Sequence, residues 1–293
     1  MSAVINIPGQ NPTKGILFYM TGIFFMATMD FLAKLVAQDV HIAMAIWARY
    51  AGQTALVTAI FLPNIATIAR TRYPKLQFAR SAFLLLGTTL FFISLTKLGL
   101  AEATAIMDLN PVLITLGGAF LLGETFGARR AFGIAAALIG ALIIIRPGSD
   151  VFSPAAILPL IAAAGFASFV LITRRVGHDE DPRTSLFYAA LLGALATSIA
   201  VPFFWSTPTP MTVLYMLLIG VAGSLGQFFL IRAVSFAEAG AVAPFSYVGL
   251  LIAAFWGMVV FDEFPDAATW IGAAIIVAAG IYVWHRERVT SRT

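Results

Sequence analysis

LGLAEATAIMDLNP at residues 98–111 leads into FLLGETFGARRAFGIAAALIGALIIIRPG at 120–148, and the same order of features returns later in the chain. The second copy reads VSFAEAGAVAPFSY at 234–247 and VVFDEFPDAATWIGAAIIVAAGIYVWHRE at 259–287. Glu102 matches Glu238 at an offset of 238 − 102 = 136. Glu124 matches Glu263, and Gly133 matches Gly272, both at 139, so the copies differ by a short indel. A fixed period of this length marks an internal duplication of one folding unit.

Each copy is too apolar for a water-soluble domain. Hydrophobic residues make up 60% of the chain and charged residues 11%, against about 25% charged in soluble domains. Mean hydropathy is +0.92. A helix needs roughly 20 apolar residues to cross a bilayer. Charge-free runs at 151–173, 184–231 and 239–261 supply that length, and the long middle run turns at the Pro-rich stretch 202–210. Ten spans are expected, at 14–36, 41–62, 79–98, 101–122, 130–146, 154–174, 184–204, 211–234, 239–261 and 267–285. Alternation of the barrel-strand kind is absent, so helices are the way across. The first of these reads as a retained span rather than a cleaved leader.

Five spans per copy is an odd number, so the second copy should lie upside down. The charges agree. With ten spans and both termini on one side, that side carries Lys14, Arg70, Arg72, Lys75, Arg80, Arg129, Arg130, Arg174, Arg175, Arg183, Arg286, Arg288 and Arg292. The other side carries little beyond Lys97 and Arg146, with acidic Asp39, Asp150, Asp262, Glu263 and Asp266. The Lys/Arg excess marks the cytoplasmic face, which places both termini there. The matched loops GETFGARR and DEFPDA differ in charge as opposite faces require. The expected fold is an all-α membrane protein: two inverted five-helix repeats, 1–148 and 149–293, around a central cavity. Secondary transporters with this plan hold substrate near the midplane, between the repeats.

On these residues the chain resembles the drug/metabolite transporter superfamily, in its ten-span branch built from two EamA-type repeats. The marks are the paired AEA segments at 101–103 and 237–239, and Pro111 and Pro244 in the spans they open. Gly123-Glu124 and Asp262-Glu263 follow those spans, and Gly-rich fifth spans begin at Gly133 and Gly272. MATMDFLAK at 26–34 also aligns with FASFVLITR at 166–174. Within the superfamily the chain is similar to bacterial aromatic amino-acid exporters of the YddG type. The resemblance implies a bacterial inner-membrane carrier of small metabolites, working by alternating access, its cavity lined by the first four helices of each repeat.

Charges inside a membrane are costly and mark functional candidates. Asp30 lies four residues before Lys34, on one helical face, which suits either an intrahelical pair or a cavity acid coupled to protons. Arg49, between aromatic neighbours, has the planar fork that receives a carboxylate; a structural partner for Asp30 or Asp108 is the alternative. Asp108, Asn110 and Pro111 fall together, where proline removes a backbone donor and kinks the helix. Pro244 and Tyr247 occupy the matching stretch of the second copy. Gln227 is polar near mid-span, and Phe91 and Phe166 could wall an apolar substrate. Thus Arg49, Phe91, Asn110, Phe166, Gln227 and Tyr247 are candidate substrate contacts, Asp30 and Asp108 candidate proton-coupling acids, and Pro111 and Pro244 candidate hinges.

Signals for catalysis are missing: no HExxH helix, GxSxG elbow or phosphate loop is present. His41, His178 and His285 lie far apart at span ends, so no metal site is expected, and no cofactor. Without cysteine there is no disulfide or thiol chemistry. The net charge of +4 reflects the cytoplasmic loops, not nucleic-acid binding. The expected partners are a small-molecule substrate and membrane lipid, with the chain a monomer. The reading is an exporter of amino acids or similar metabolites. Alternatives are export of nucleosides or cationic compounds, a lipid-modifying intramembrane enzyme, or a non-transporting assembly protein.

Overall fold

The computed structural model describes residues 12–122, 128–146, 153–176, 180–236 and 243–290. Gly123, Glu124, Asp150, His178 and the second AEA segment lie outside them. Within the described residues every regular element is helical. The first repeat contributes α1 (Pro12–Asp39), α2 (Ile42–Phe61), α3 (Pro74–Leu95), α4 (Leu100–Met107), α5 (Asn110–Leu122) and α6 (Ala128–Ile145). The second contributes α7 (Ile157–Val176), α8 (Pro182–Ala200), α9 (Pro210–Phe236), α10 (Val248–Val260) and α11 (Ala267–Thr290). Seven segments are long and apolar enough to cross a membrane, and three shorter apolar helices complete the set. The chain is an all-α, multi-pass membrane protein.

Proline punctuates the sequence where the helices start. Pro74 and Pro182 stand in the first turns of α3 and α8, where a missing N–H costs nothing. Asp181 caps α8 by accepting the Arg183 amide at 2.8 Å. Proline also breaks the fourth span: α4 stops at Met107, Asp108 and Leu109 form a turn, and α5 restarts with Asn110 and Pro111. In the second repeat the backbone of 243–247, which includes Pro244, is a 3₁₀ turn leading into α10. In the first copy the helix breaks beside Pro111; in the second, residues 237–242 lie outside those described, and the described backbone resumes with the 3₁₀ turn at 243–247.

Packing repeats as well. Helix α1 packs on α9 and α7 packs on α3, the same pairing with the repeats exchanged. Helix α2 meets α8, and α6 meets α11, each pair being its own counterpart. Small residues set these crossings. A Cβ on Gly87 would sit 3.1 Å from the Ala162 carbonyl, and one on Gly226 would sit 3.2 Å from that of Gly22. Gly87 and Gly226 are 139 residues apart, and Gly22 and Ala162 are 140 apart, so one contact is the image of the other. At the α2–α9 crossing, a Cβ on Gly52 would fall 2.6 Å from the Gly220 Cα.

Two charges behave differently from the sequence reading. Arg80, counted among the loop cations, is buried in α3, where it donates to Gln77 Oε1 at 2.9 Å and lies 4.9 Å from the Phe169 ring centre. Helix α3 starts several residues before the expected 79, at Pro74, and this carries Arg80 inside. Lys34 is not paired with Asp30. It reaches across the repeats to Glu263.

Candidate functional site

Tyr19, Ile23, Met26 and Asp30 recur every three or four residues of α1, so they form one stripe along the helix. The stripe lines a cavity of about 230 Å³ between the repeats. Helices α2 and α3 add Arg49, Gly87, Thr88 and Phe91, and the α4–α5 break adds Met107, Asp108, Asn110 and Pro111. Phe166 of α7, Leu230 of α9 and Ser246, Gly249 and Ala253 close it from the second repeat. Of the residues singled out from sequence, Asp30, Arg49, Phe91, Asp108, Asn110, Pro111 and Phe166 come together here.

Three do not. Gln227 is half-buried on α9, outside the lining, and no hydrogen bond joins it to the described residues. Tyr247 turns its hydroxyl to Gly280 of α11, which has no side chain to displace it. Pro244 is described by its backbone alone, in the 3₁₀ turn. The sequence reading passed over Tyr19, whose phenol is hydrogen-bonded to Ser246. Its signal was the α1 stripe, one turn before Ile23.

The cavity is polarised. On one side Arg49, 7% exposed, donates from a terminal nitrogen to Thr88 Oγ1 at 2.9 Å, and the Tyr50 hydroxyl donates to the same oxygen at 3.0 Å. The guanidinium lies 5.4 and 5.8 Å from the ring centres of Tyr50 and Phe92, so it is stacked and held. Its Nε is buried without an acceptor. Thr28 and Thr104 turn their hydroxyls back to carbonyls four residues earlier, but Thr88 accepts twice and has no acceptor of its own among the described residues. That side therefore offers two free donors. Asp108 Oδ2 and Asn110 Oδ1, also on lining residues, are buried acceptors with no donor among the described residues. Buried polar atoms are ordinarily paired, so each of these calls for an explanation, a water, an ion or a ligand among them. Asp30 lies within the electrostatic reach of Arg49 but forms no ion pair with it.

Polar contacts also join the repeats away from the cavity. Lys34, 8% exposed, donates to the Leu98 carbonyl at 2.7 Å and stands 2.5 Å from Glu263. The other oxygen of Glu263 accepts the Leu100 amide at 2.9 Å, at the start of α4. Nearby Arg146 of the first repeat pairs with Asp266 of the second. That bond and those from Thr269 hold the Asp266 carboxyl low, at about 2. Elsewhere, Glu180 of the second repeat accepts from Thr71 Oγ1, the Arg72 amide and Gln77 Nε2 at 2.9, 2.8 and 2.6 Å. Burial would raise its carboxyl, but these bonds and the Arg80 charge outweigh that and hold it below its ordinary value. Among the described residues no cluster of three or more His, Cys, Asp or Glu could hold a metal ion.

A duplicated helical membrane chain with a polar cavity between its copies defines a carrier of small molecules. The match to known families is direct: residues 13–146 and 153–284 each fit the EamA-like transporter family. The chain belongs to that family, and it is a membrane transporter, not an enzyme. It is 26% identical to an S-adenosylmethionine uptake transporter of Rickettsia felis, over 94% of this chain and 93% of the relative. It is 31% identical to a riboflavin transporter of Rhizobium johnstonii, over 78% and 76%, and 29% identical to the pseudopaline exporter CntI of Pseudomonas aeruginosa, over 92% and 95%. A solved crystal structure aligns at a TM-score of 0.63 and 20% identity, over 92% of this chain and 96% of that one, which speaks to the fold alone. None of these three relatives is an aromatic amino-acid exporter, so the family is assigned here and that subfamily is not.

Proposed function

We propose that this protein exports amino acids, aromatic ones among them, or closely similar amphoteric metabolites, across a bacterial inner membrane by alternating access. The observation that carries the reading is the pair of buried donors left without acceptors, Arg49 Nε and Thr88 Oγ1, on two residues that line the cavity together with Asp30. A carboxylate satisfies the two donors, and charge-assisted bonds of this kind are the strong ones. Asp30 then lies where the α-ammonium of the same molecule would be. Phe91, Phe166, Met26 and Ile23 supply apolar walls for a side chain. The cavity is below the roughly 300–1,000 Å³ of drug-sized sites, which favours a compact substrate. S-adenosylmethionine, the cargo named for one relative, is itself an amino acid by its methionine portion, which supports the same head-group chemistry.

The two repeats, bounded near 148, lie inverted in this reading, and both termini are cytoplasmic. Asp30 and Asp108 are the acids available for proton coupling, and the breaks at Pro111 and Pro244 are the points of bending. Solute counterflow in proteoliposomes tests the assignment. Radiolabelled amino acids should exchange, and Arg49→Gln should abolish exchange of carboxylate-bearing substrates while sparing decarboxylated amines. Equal loss of both would reduce Arg49 to a structural role. Flux that ignores an imposed pH gradient would remove the proton.

A further inference from the structure

Among the described residues, the charged ones lining the cavity besides Arg49 are Asp30 and Asp108. Lys34, one turn beyond Asp30, is engaged by Glu263 and Leu98 and does not line it. The side chains thus set one cation against two carboxylates. Arg49 acts on Asp30. The groups in electrostatic reach of Asp108 are the phenols of Tyr19 and Tyr247, neither of them a cation. An uncompensated carboxylate in a buried site is expensive unless something meets it.

Acceptors cluster at Asp108, with the phenol hydroxyls of Tyr19 and Tyr247 the donors in its electrostatic reach. Its Oδ2 and the Oδ1 of Asn110 are buried and undonated. Pro111, four residues after Met107, has no N–H to give the Met107 carbonyl its helical partner. Met107, Asp108, Asn110 and Pro111 all line the cavity. Unwound backbone carbonyls and half-helix C-terminal ends coordinate cations at such breaks in carriers, and here an amide oxygen and a carboxyl stand at the break as well. The geometry points to a second, cationic subsite at the α4–α5 break, so that the preferred substrate is an amino acid carrying a further cationic centre on its side chain. This rests on the head-group site proposed above: carboxylate to Arg49 and Thr88, α-ammonium to Asp30, side-chain cation to Asp108 and Asn110. A substrate of net charge +1 then balances all three charged residues.

Counterflow with lysine and its uncharged counterpart norleucine tests the subsite in the full-length protein. Competing against one labelled amino acid that exchanges, lysine should be at least about tenfold more effective than norleucine. Asp108→Asn should collapse that preference, and Asp108→Glu should restore part of it. The preference is a ratio measured within one preparation, so a variant that reconstitutes poorly is still readable. Norleucine equal to or better than lysine in the unaltered protein would overturn the cationic subsite and leave the head-group site standing. A preference unchanged by Asp108→Asn would overturn it too. Failure of every amino acid to exchange would overturn both proposals.

Discussion

Lys34 in α1 and Glu263 beyond α10 meet at 2.5 Å across the boundary between the repeats, and both are also tied to backbone, Lys34 to the Leu98 carbonyl and Glu263 to the Leu100 amide. The pair therefore clamps the end of α1 and the start of α4 to the loop that follows α10. A carrier that opens toward that face must break this bond. Asp262 makes the contact possible. It takes a left-handed backbone at φ 55°, and the Glu263 amide then returns to the Gly257 carbonyl at 3.0 Å, ending the helix with the glutamate aimed back along it.

The first prediction concerns that clamp. Glu263→Gln removes one charge from a partly buried pair, worth on the order of 1 kcal/mol, or roughly a fivefold shift between states. The chain has no cysteine, so one can be placed in the cavity at Met107 without background. In that setting Glu263→Gln should raise the rate of labelling by an impermeant maleimide added from outside. An unchanged rate would show that the clamp does not hold the outer face shut.

Asp262 itself gives a stability test. A left-handed backbone is free for glycine, tolerable for aspartate and costly for a β-branched residue, at about 1–2 kcal/mol. Asp262→Gly should leave the melting temperature in detergent equal or higher, and Asp262→Val should lower it. A valine variant as stable as the original would mean that the turn has another way to form.

Much of this was legible in the residues. Ten apolar segments, the duplication and the break at Asp108–Pro111 follow from composition, period and proline chemistry, each a local property of the chain. The partner of Lys34 was not, because the sequence offers Asp30 one turn away while the fold offers Glu263 from the other repeat. Distance along a helix is visible in a sequence, but distance between repeats is not. The same limit hid the direction of Tyr247, which is decided by a gap at Gly280. Arg80 looked like a loop cation because it stands among Arg70, Arg72 and Lys75, and its burial depends on Phe169 and Glu180 far along the chain. Conversely, the α1 stripe through Tyr19 and Asp30 could have been counted out beforehand.

The glycine crossings should be intolerant of a single methyl group. A Cβ at Gly52 would overlap the Gly220 Cα, which is backbone and has no rotamer to retreat to. Overpacking of this kind costs about 1–3 kcal/mol. Gly52→Ala and Gly220→Ala should each lower thermal stability in detergent by several degrees. The double variant should cost less than the sum, since both relieve themselves by separating the same two helices. Strict additivity would show that the crossing is not shared.

Acid should loosen the Arg146–Asp266 contact. The Asp266 carboxyl is held at about 2, below an unfolded value of about 3.9. A group depressed by folding adds stability that is complete above the unfolded value and is lost as pH falls through the folded one. The stability difference between the unaltered protein and Asp266→Asn should thus be constant from neutral pH to about pH 5, then shrink toward pH 2. A difference that grew on acidification would have the wrong sign for this pair.

The inverted arrangement has a direct test, because it sets two matched loops on opposite faces. Arg129 stands at the start of α6, just after the loop that ends the first copy's broken helix, and Phe264, 70% exposed, lies in the corresponding loop of the second copy. Five crossings separate these loops if each repeat contributes five, and an odd number of crossings reverses the side. In the proposed orientation the basic loop is the cytoplasmic one. Cysteine at Phe264 should react with an impermeant reagent on intact cells, and cysteine at Arg129 only once the membrane is opened. Reaction of both from the same side would require an even number of crossings between them, and the paired packing of α1 on α9 and α7 on α3 would then need a different symmetry.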